Sequence, residues 1–202
     1  MTLTQIISTT TTAVILLAAN SAFAQSPLSV DFHKAYADSS VVQQAIAAGK
    51  LTNVIAAFLA APNPIAEKAA VINVLNNKGK KQNAKTFRDY LAKNAGGIFN
   101  AEAISPEEQF ALGYLTALDD TAQSQKALPL LEKAKAQMPD SFTVSMILNL
   151  VKAQQQIGKH SCRAWTLTED VLSDDNLAMD MREEAVDIIE ESMGVHAKDN
   201  CK

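Results

Sequence analysis

The chain has 202 residues, a formal net charge of −4, and 48% hydrophobic but only 5% aromatic residues. The charge is unevenly divided: residues 25–104 carry nine Lys/Arg against five Asp/Glu, and residues 105–202 carry nine against seventeen. Neither region is charged strongly enough to indicate nucleic-acid binding. The few glycines and prolines and the many alanine-rich runs predict an all-α protein, because strand-like alternation is hard to find.

The first 24 residues are typical of a secretory signal peptide. They contain no charged side chain, and the apolar centre, residues 13–19, is shorter than the roughly 20 residues that span a bilayer. Ala22 and Ala24 flank Phe23 in an A-x-A cleavage pattern. We therefore expect export. The lack of an Asn-x-Ser/Thr sequon favours the periplasm, with secretion as the alternative.

Four helices are predicted in the basic region, residues 25–104. Residues 40–50 begin at a Ser39 or Ser40 cap and end at Gly49. The third and fourth predicted helices cover residues 65–77 and 81–97, and they end at a Lys78-Gly79-Lys80 turn and at Gly96-Gly97. The second helix ends at a Pro62-Asn63-Pro64 turn, and its spacing puts five apolar side chains on one face: Leu51, Val54, Ile55, Phe58 and Leu59.

Five further helices are predicted in the acidic region, residues 105–202. The first begins at Ser105-Pro106-Glu107-Glu108, which offers a capping serine, a proline in the first turn and a capping-box glutamate, and it ends at Asp119-Asp120. The remaining four are expected at residues 125–138, 142–156, 161–172 and about 176–193.

Residues 110–176 resemble two degenerate tetratricopeptide repeats. The resemblance is carried by Leu112, Gly113, Ala127, Leu131, Ala134 and Pro139 in the first unit, and by Leu148, Gly158, Ala164, Thr168 and Val171 in the second. Ala111 stands where the repeat prefers an aromatic residue, and an Asp174-Asp175-Asn176 turn replaces the family's proline. The resemblance implies antiparallel helical hairpins stacked as an α-α superhelix; a compact helical bundle is the alternative.

Two cysteines and two of the three histidines form a possible site. Cys162 and Cys201, with His160 and His196, could supply four zinc ligands, but no Cys-x-x-Cys spacing is present. In an exported chain, two cysteines without a third are more often a disulfide. We therefore expect Cys162 and Cys201 to be paired, with a metal site or free thiols as alternatives, and we expect both histidines on the surface near helix ends.

Two charged segments are candidate partner-binding surfaces. Residues 169–191 carry ten carboxylates against one arginine, and Glu183, Asp187 and Glu190 represent this acidic surface. The basic candidate consists of Lys81, Lys85 and Arg88, which project from one side of a predicted helix. The alternative for each is a solvated helix face. Trp165 is expected in the core.

The motifs of common enzyme classes are missing from the sequence. There is no glycine-rich phosphate loop, no Gly-x-Ser-x-Gly, no His-Glu-x-x-His, and no calcium-binding loop. Together with the resemblance of residues 110–176 to tetratricopeptide repeats, this leads us to expect a non-enzymatic protein without a cofactor, which binds a protein partner as an adaptor or scaffold in the cell envelope. The alternative is a small helical bundle that binds a small ligand, lipid or metal.

Overall fold

The computed structural model describes residues 26–77 and 82–197, and this part of the chain is all-α, as predicted. The predicted signal peptide, the Lys78-Gly79-Lys80 turn, Lys81 and Cys201 lie outside the described residues. The described part contains nine α-helices: α1 Ser40–Ala48, α2 Asn53–Ala60, α3 Ile65–Val74, α4 Asn83–Asn94, α5 Pro106–Asp119, α6 Leu128–Gln137, α7 Phe142–Gln154, α8 Ser161–Leu172 and α9 Glu183–Gly194.

The helix ends follow local capping signals in the sequence. Ser39 accepts a hydrogen bond from the Val42 N–H at the start of α1, and Gly49 ends the helix with a φ of 61°, a left-handed conformation that favours glycine. Ser105 and Glu108 form the predicted reciprocal capping box at the start of α5. These boundaries were therefore predictable from short-range sequence.

Two helix predictions were wrong at their amino-terminal ends. The helix expected over residues 125–138 begins later than predicted. Residues Thr121–Ala127 form a 3-10 segment, and α6 begins at Leu128, with Pro129 in its first turn. The last helix begins at Glu183 rather than near Asn176. Residues before it are held outside a helix, because the Ala178 N–H donates to Asp140 O at 2.7 Å in an isolated bridge beside α7.

The apolar face predicted for α2 is only partly buried. Leu51, Ile55 and Leu59 are each at most 5% exposed, whereas Val54 is 66% exposed. Helical periodicity alone puts these side chains within one wide stripe, but α2 is short and packs against its neighbours through the Ile55 and Leu59 side only. The buried part of the predicted face therefore does not extend to Val54.

Residues 26–38 form an ordered strap, although the sequence showed no helix there. Two 3-10 segments, Pro27–Ser29 and Phe32–Tyr36, cross the helices, and Leu28, Val30 and Phe32 are at most 2% exposed. The first segment packs on α7, and the second packs on α3 and α9. We call residues 26–38 the amino-terminal strap, because they connect elements from both charge regions.

One apolar core extends through the basic and acidic regions. α5 packs along α6 and α7 along α8, as two helical hairpins, while α3 contacts α1, α5 and α7. Most of the residues that carry the repeat resemblance are buried in these hairpins, including Ala127, Leu131, Ala134, Ala164 and Thr168, each 0% exposed. The all-α class is confirmed, and the stacking of the hairpins as a repeat superhelix stays a prediction.

Candidate functional site

Many carboxylates in the structure have a structural partner. Asp119 accepts hydrogen bonds from the backbone N–H groups of Asn83, at 3.2 Å, and Ala84, at 2.8 Å, and so caps α4. Asp180 accepts from the Thr143 N–H and hydroxyl, both at 2.7 Å, at the start of α7. Asp180 is therefore a capping residue, although the helix predicted over about residues 176–193 had included it.

The carboxylates of α9 are different, because they face solvent. Glu183, Asp187, Glu190 and Glu191 are all exposed, and none of them makes a hydrogen bond or ion pair with the part of the chain that the structure describes. They occupy the side of α9 opposite its buried residues, which are Ala185, Val186, Ile189 and Met193. We call these four carboxylates the acidic face. Because the opposite side of α9 packs on the core, the acidic face is directed towards solvent.

A groove of about 440 Å³ lies beside this face and includes an aromatic side chain. It is lined by Trp165 from α8 and by Asp187, Glu190, Glu191 and Gly194 from α9. Trp165 is half-buried and packs against the core, so it is a core residue only in part. Sequence reasoning missed this groove, since it depends on how α8 and α9 lie together.

The basic candidate surface is partly engaged within its own chain. Lys85 Nζ lies 2.6 Å from an oxygen of Asp89, and the Arg88 guanidinium lies 5.5 Å from the centre of the Phe99 ring. Lys81 is outside the described residues. The two described cations thus have intramolecular partners, which makes this surface a weaker candidate than the acidic face.

The residues around Cys162 line a cavity of about 850 Å³. Its lining includes Lys159, His160, Cys162 and Arg163, at the start of α8. His160 is exposed as expected, but His196 is only 2% exposed, so its predicted surface position was wrong. Within residues 26–77 and 82–197, no three His, Cys, Asp or Glu side chains are grouped to hold a metal ion. Cys201 lies outside the described residues, and its pairing with Cys162 stays a prediction.

Lys68 is the most unusual titratable residue in the core. Its side chain on α3 is 0% exposed, and its Nζ has no hydrogen-bond partner among the residues that the structure describes. Burial lowers the pKa of Lys68 from its ordinary value, while the negative charges of Glu107 and Glu108 at the start of α5 oppose this change. A buried, unpartnered amine costs stability. Nothing in the sequence distinguished Lys68 from the surface lysines.

The fold and the groove define an all-α protein of helical hairpins with an unpaired acidic face. No protein-family model, curated protein or solved structure matches the chain. The sequence after residue 24 holds no apolar stretch long enough to span a bilayer. In agreement, none of the helices in the described part of the chain is long and apolar enough to cross a membrane.

Proposed function

We propose that this chain is an exported, non-enzymatic helical protein that binds a basic protein partner through the acidic face of α9. The observation that carries the proposal is the set of four exposed carboxylates on one helix, which have no hydrogen-bond or ion-pair partner within residues 26–77 and 82–197. Like charges at helical spacing repel one another, so this arrangement costs some stability in the isolated protein. A partner that carries Lys or Arg would relieve the repulsion and gain charge complementarity.

Two sequence features support the wider proposal of an envelope adaptor. The first 24 residues, with their A-x-A pattern, support export to the periplasm, with secretion as the alternative. The resemblance to tetratricopeptide repeats supports a role in protein–protein interaction, because paired helices present an extended surface to a partner. Helical hairpins with buried small residues at Ala127 and Ala164 are compatible with that resemblance.

The test is affinity capture by the mature protein and by a variant with its acidic face neutralised. Glu183→Gln, Asp187→Asn and Glu190→Gln would be combined, and proteins captured from envelope extract would be identified for both baits. We expect a discrete set of basic proteins that the wild type retains and the variant loses. Raising the salt concentration should weaken the same interactions, because exposed charges are screened.

A matched bait keeps the change in net charge but leaves the acidic face intact. Glu169→Gln, Asp170→Asn and Asp175→Asn neutralise three exposed carboxylates outside α9. This bait should capture the same proteins as the wild type. Equal losses from both variants, or identical capture by all three baits, would contradict a specific role for the acidic face.

The open pocket beside Cys162 supports a second candidate function, the binding of a small ligand. Its volume of about 850 Å³ is within the range of small-molecule sites. Thiol titration of the denatured, unreduced protein tests the disulfide predicted beside this pocket. Close to zero thiols would support the Cys162–Cys201 disulfide, whose loop of about 39 residues should stabilise the fold by roughly 3.5–4 kcal/mol. Two titratable thiols would contradict the pairing.

A further inference from the structure

We infer that the groove beside Trp165 is a subsite for one cationic side chain, an arginine or lysine, of the partner. The inference rests on the proposed function, because it names the chemistry that the acidic face recognises. It adds a defined place for that recognition, where an indole ring and three carboxylates line the same groove. The acidic face as a whole attracts a basic surface, whereas this groove would fix a single residue of it.

The position of the lining residues along α9 explains why the groove is acidic throughout. Asp187, Glu190, Glu191 and Gly194 follow the i, i+3, i+4, i+7 pattern of one helical face. The three carboxylates make no hydrogen bond or ion pair with residues in the described part of the chain. A β-carbon added at Gly194 would meet nothing within 4 Å, so the groove is open at that end.

The indole selects an organic cation over a bare metal ion. The face of an aromatic ring attracts an ammonium or guanidinium, and tryptophan is the most effective ring for this interaction. Calcium instead requires six to eight oxygen ligands, and no metal-binding group of His, Cys, Asp and Glu occurs within the described residues. Arginine fits better than lysine, since its planar guanidinium can stack on the ring while it donates to a carboxylate.

Because the chain has a single tryptophan, its fluorescence reports directly on peptide binding at the subsite. The mature, oxidised protein would be titrated with the peptide acetyl-Gly-Arg-Gly-Arg-Gly-amide, and the fluorescence of Trp165 would be followed. The control peptide carries citrulline, the neutral isostere of arginine, at both positions. We expect a saturable change in emission with the arginine peptide, a weaker one with the lysine analogue, and none with citrulline. An absent or citrulline-like response to arginine would overturn the inference.

Variants separate the groove from the general charge of the surface. We expect Asp187→Asn and Glu190→Gln each to weaken peptide binding roughly two- to fivefold, the range of an exposed ion pair. Asp175→Asn, in the turn before α9, removes the same charge outside the groove and should change binding much less. Equal weakening by all three variants would show non-specific attraction and would overturn the subsite.

The aromatic contribution is tested by calorimetry, because replacing Trp165 removes the fluorophore. Trp165→Leu should weaken arginine-peptide binding by about two- to fivefold, and Trp165→Phe by less, since phenylalanine keeps a ring. Circular dichroism would establish that both variants fold. If the leucine variant folds and binds as tightly as the wild type, the subsite is refuted. Capture of basic partners through the acidic face would then still support the proposed function.

Discussion

The guanidinium of Arg182 forms two hydrogen bonds with the carboxylate of Asp38, Nη1 to Oδ1 at 2.6 Å and Nη2 to Oδ2 at 3.2 Å. The same guanidinium lies 4.6 Å from the centre of the Tyr36 ring and donates to the Ala35 carbonyl at 2.8 Å. Arg182 immediately precedes α9, so this cluster connects the amino-terminal strap to the last described helix.

Replacement of Arg182 should loosen the amino-terminal strap. Arg182→Met removes the ion pair, the stacking on Tyr36 and the bond to Ala35, and we expect a loss of a few degrees in Tm. Hydrogen exchange of residues 28–36 should become faster, because their contact with α9 weakens. Arg163→Met, at an exposed position on α8, is the matched control and should change neither measurement. Unchanged exchange in Arg182→Met would show that the cluster does not hold the strap.

The stabilisation from this ion pair should disappear in acid. The hydrogen bonds from Arg182 hold the pKa of Asp38 below its ordinary 3.8. A carboxyl whose pKa is lower in the folded protein stabilises the fold above its unfolded pKa and loses this effect as the pH falls through the folded pKa. The difference in Tm between wild type and Asp38→Asn should therefore be constant near neutral pH and should vanish as the pH falls below about 4. A difference that persists in strong acid would contradict this assignment.

Replacement of Lys68 by methionine should stabilise the protein. Methionine has a similar shape without the buried amine, so Lys68→Met should raise the free energy of unfolding by about 1–3 kcal/mol at neutral pH. Burial lowers the pKa of Lys68 below 10.5, so the unfolded chain binds more protons between the two values. Wild-type stability should therefore rise with pH in that window, and the advantage of the variant should shrink towards pH 10.

Denaturant unfolding at neutral pH and near pH 10 tests this prediction. Lys126→Met is the control, since Lys126 is exposed and its replacement should have little effect at either pH. A destabilised Lys68→Met, with the same loss at both pH values, would mean that the amine has a partner in solution.

Close helix packing at Gly113 should make this position sensitive to one methyl group. A β-carbon there would lie 2.9 Å from Leu131 Cγ and 3.2 Å from Leu130 Cβ, where α5 meets α6. Alanine favours a helix by about 1 kcal/mol, but overpacking costs about 1–3 kcal/mol, so Gly113→Ala should be destabilising. Gly194→Ala meets no atom within 4 Å and should be neutral or stabilising. The Tm of both variants, measured by thermal unfolding, tests this prediction. A stabilised Gly113→Ala would contradict the close approach of α5 and α6 at this position.

Asp180, before α9, and Asp187, within α9, should differ in how strongly removal of their carboxylates destabilises the fold. Asp180→Ala deletes the cap of α7 at Thr143 and should cost about 1–2 kcal/mol in unfolding free energy. Asp187→Ala removes an exposed carboxylate without a partner and should change stability by less than about 0.5 kcal/mol. Chemical denaturation measures both. Similar losses would mean that the acidic face has a structural role.

The sequence was informative wherever a boundary depends on neighbouring residues. The Ser39 and Ser105 caps and the Gly49 stop all rest on signals within one helical turn. The late start of α9 could not be predicted in this way. It depends on the pairing of Ala178 with the backbone near α7, a contact between distant residues that leaves no periodic pattern.

The candidate site was predicted only in part for the same reason. Glu183, Asp187 and Glu190, which the sequence offered as a partner-binding surface, are all exposed on α9. Trp165 joins them only through the packing of α8 against α9, and the burial of Lys68 and His196 likewise depends on neighbouring elements. A helical pattern states which side chains share a face, and it carries no information on what covers that face.

The amino-terminal strap also sets the order in which the chain can complete its fold. Ser26 bonds to Gln154 across 128 positions of sequence, and Arg182 bonds to Ala35 across 147. Such contacts raise the contact order of an otherwise local helical fold and slow the final step of folding. During synthesis or transport, the strap emerges before α7 and α9 exist. Leu28 and Phe32 then lack the cover that α7 and α9 supply until those helices are made, and in this interval the protein is most exposed to aggregation or capture by a chaperone.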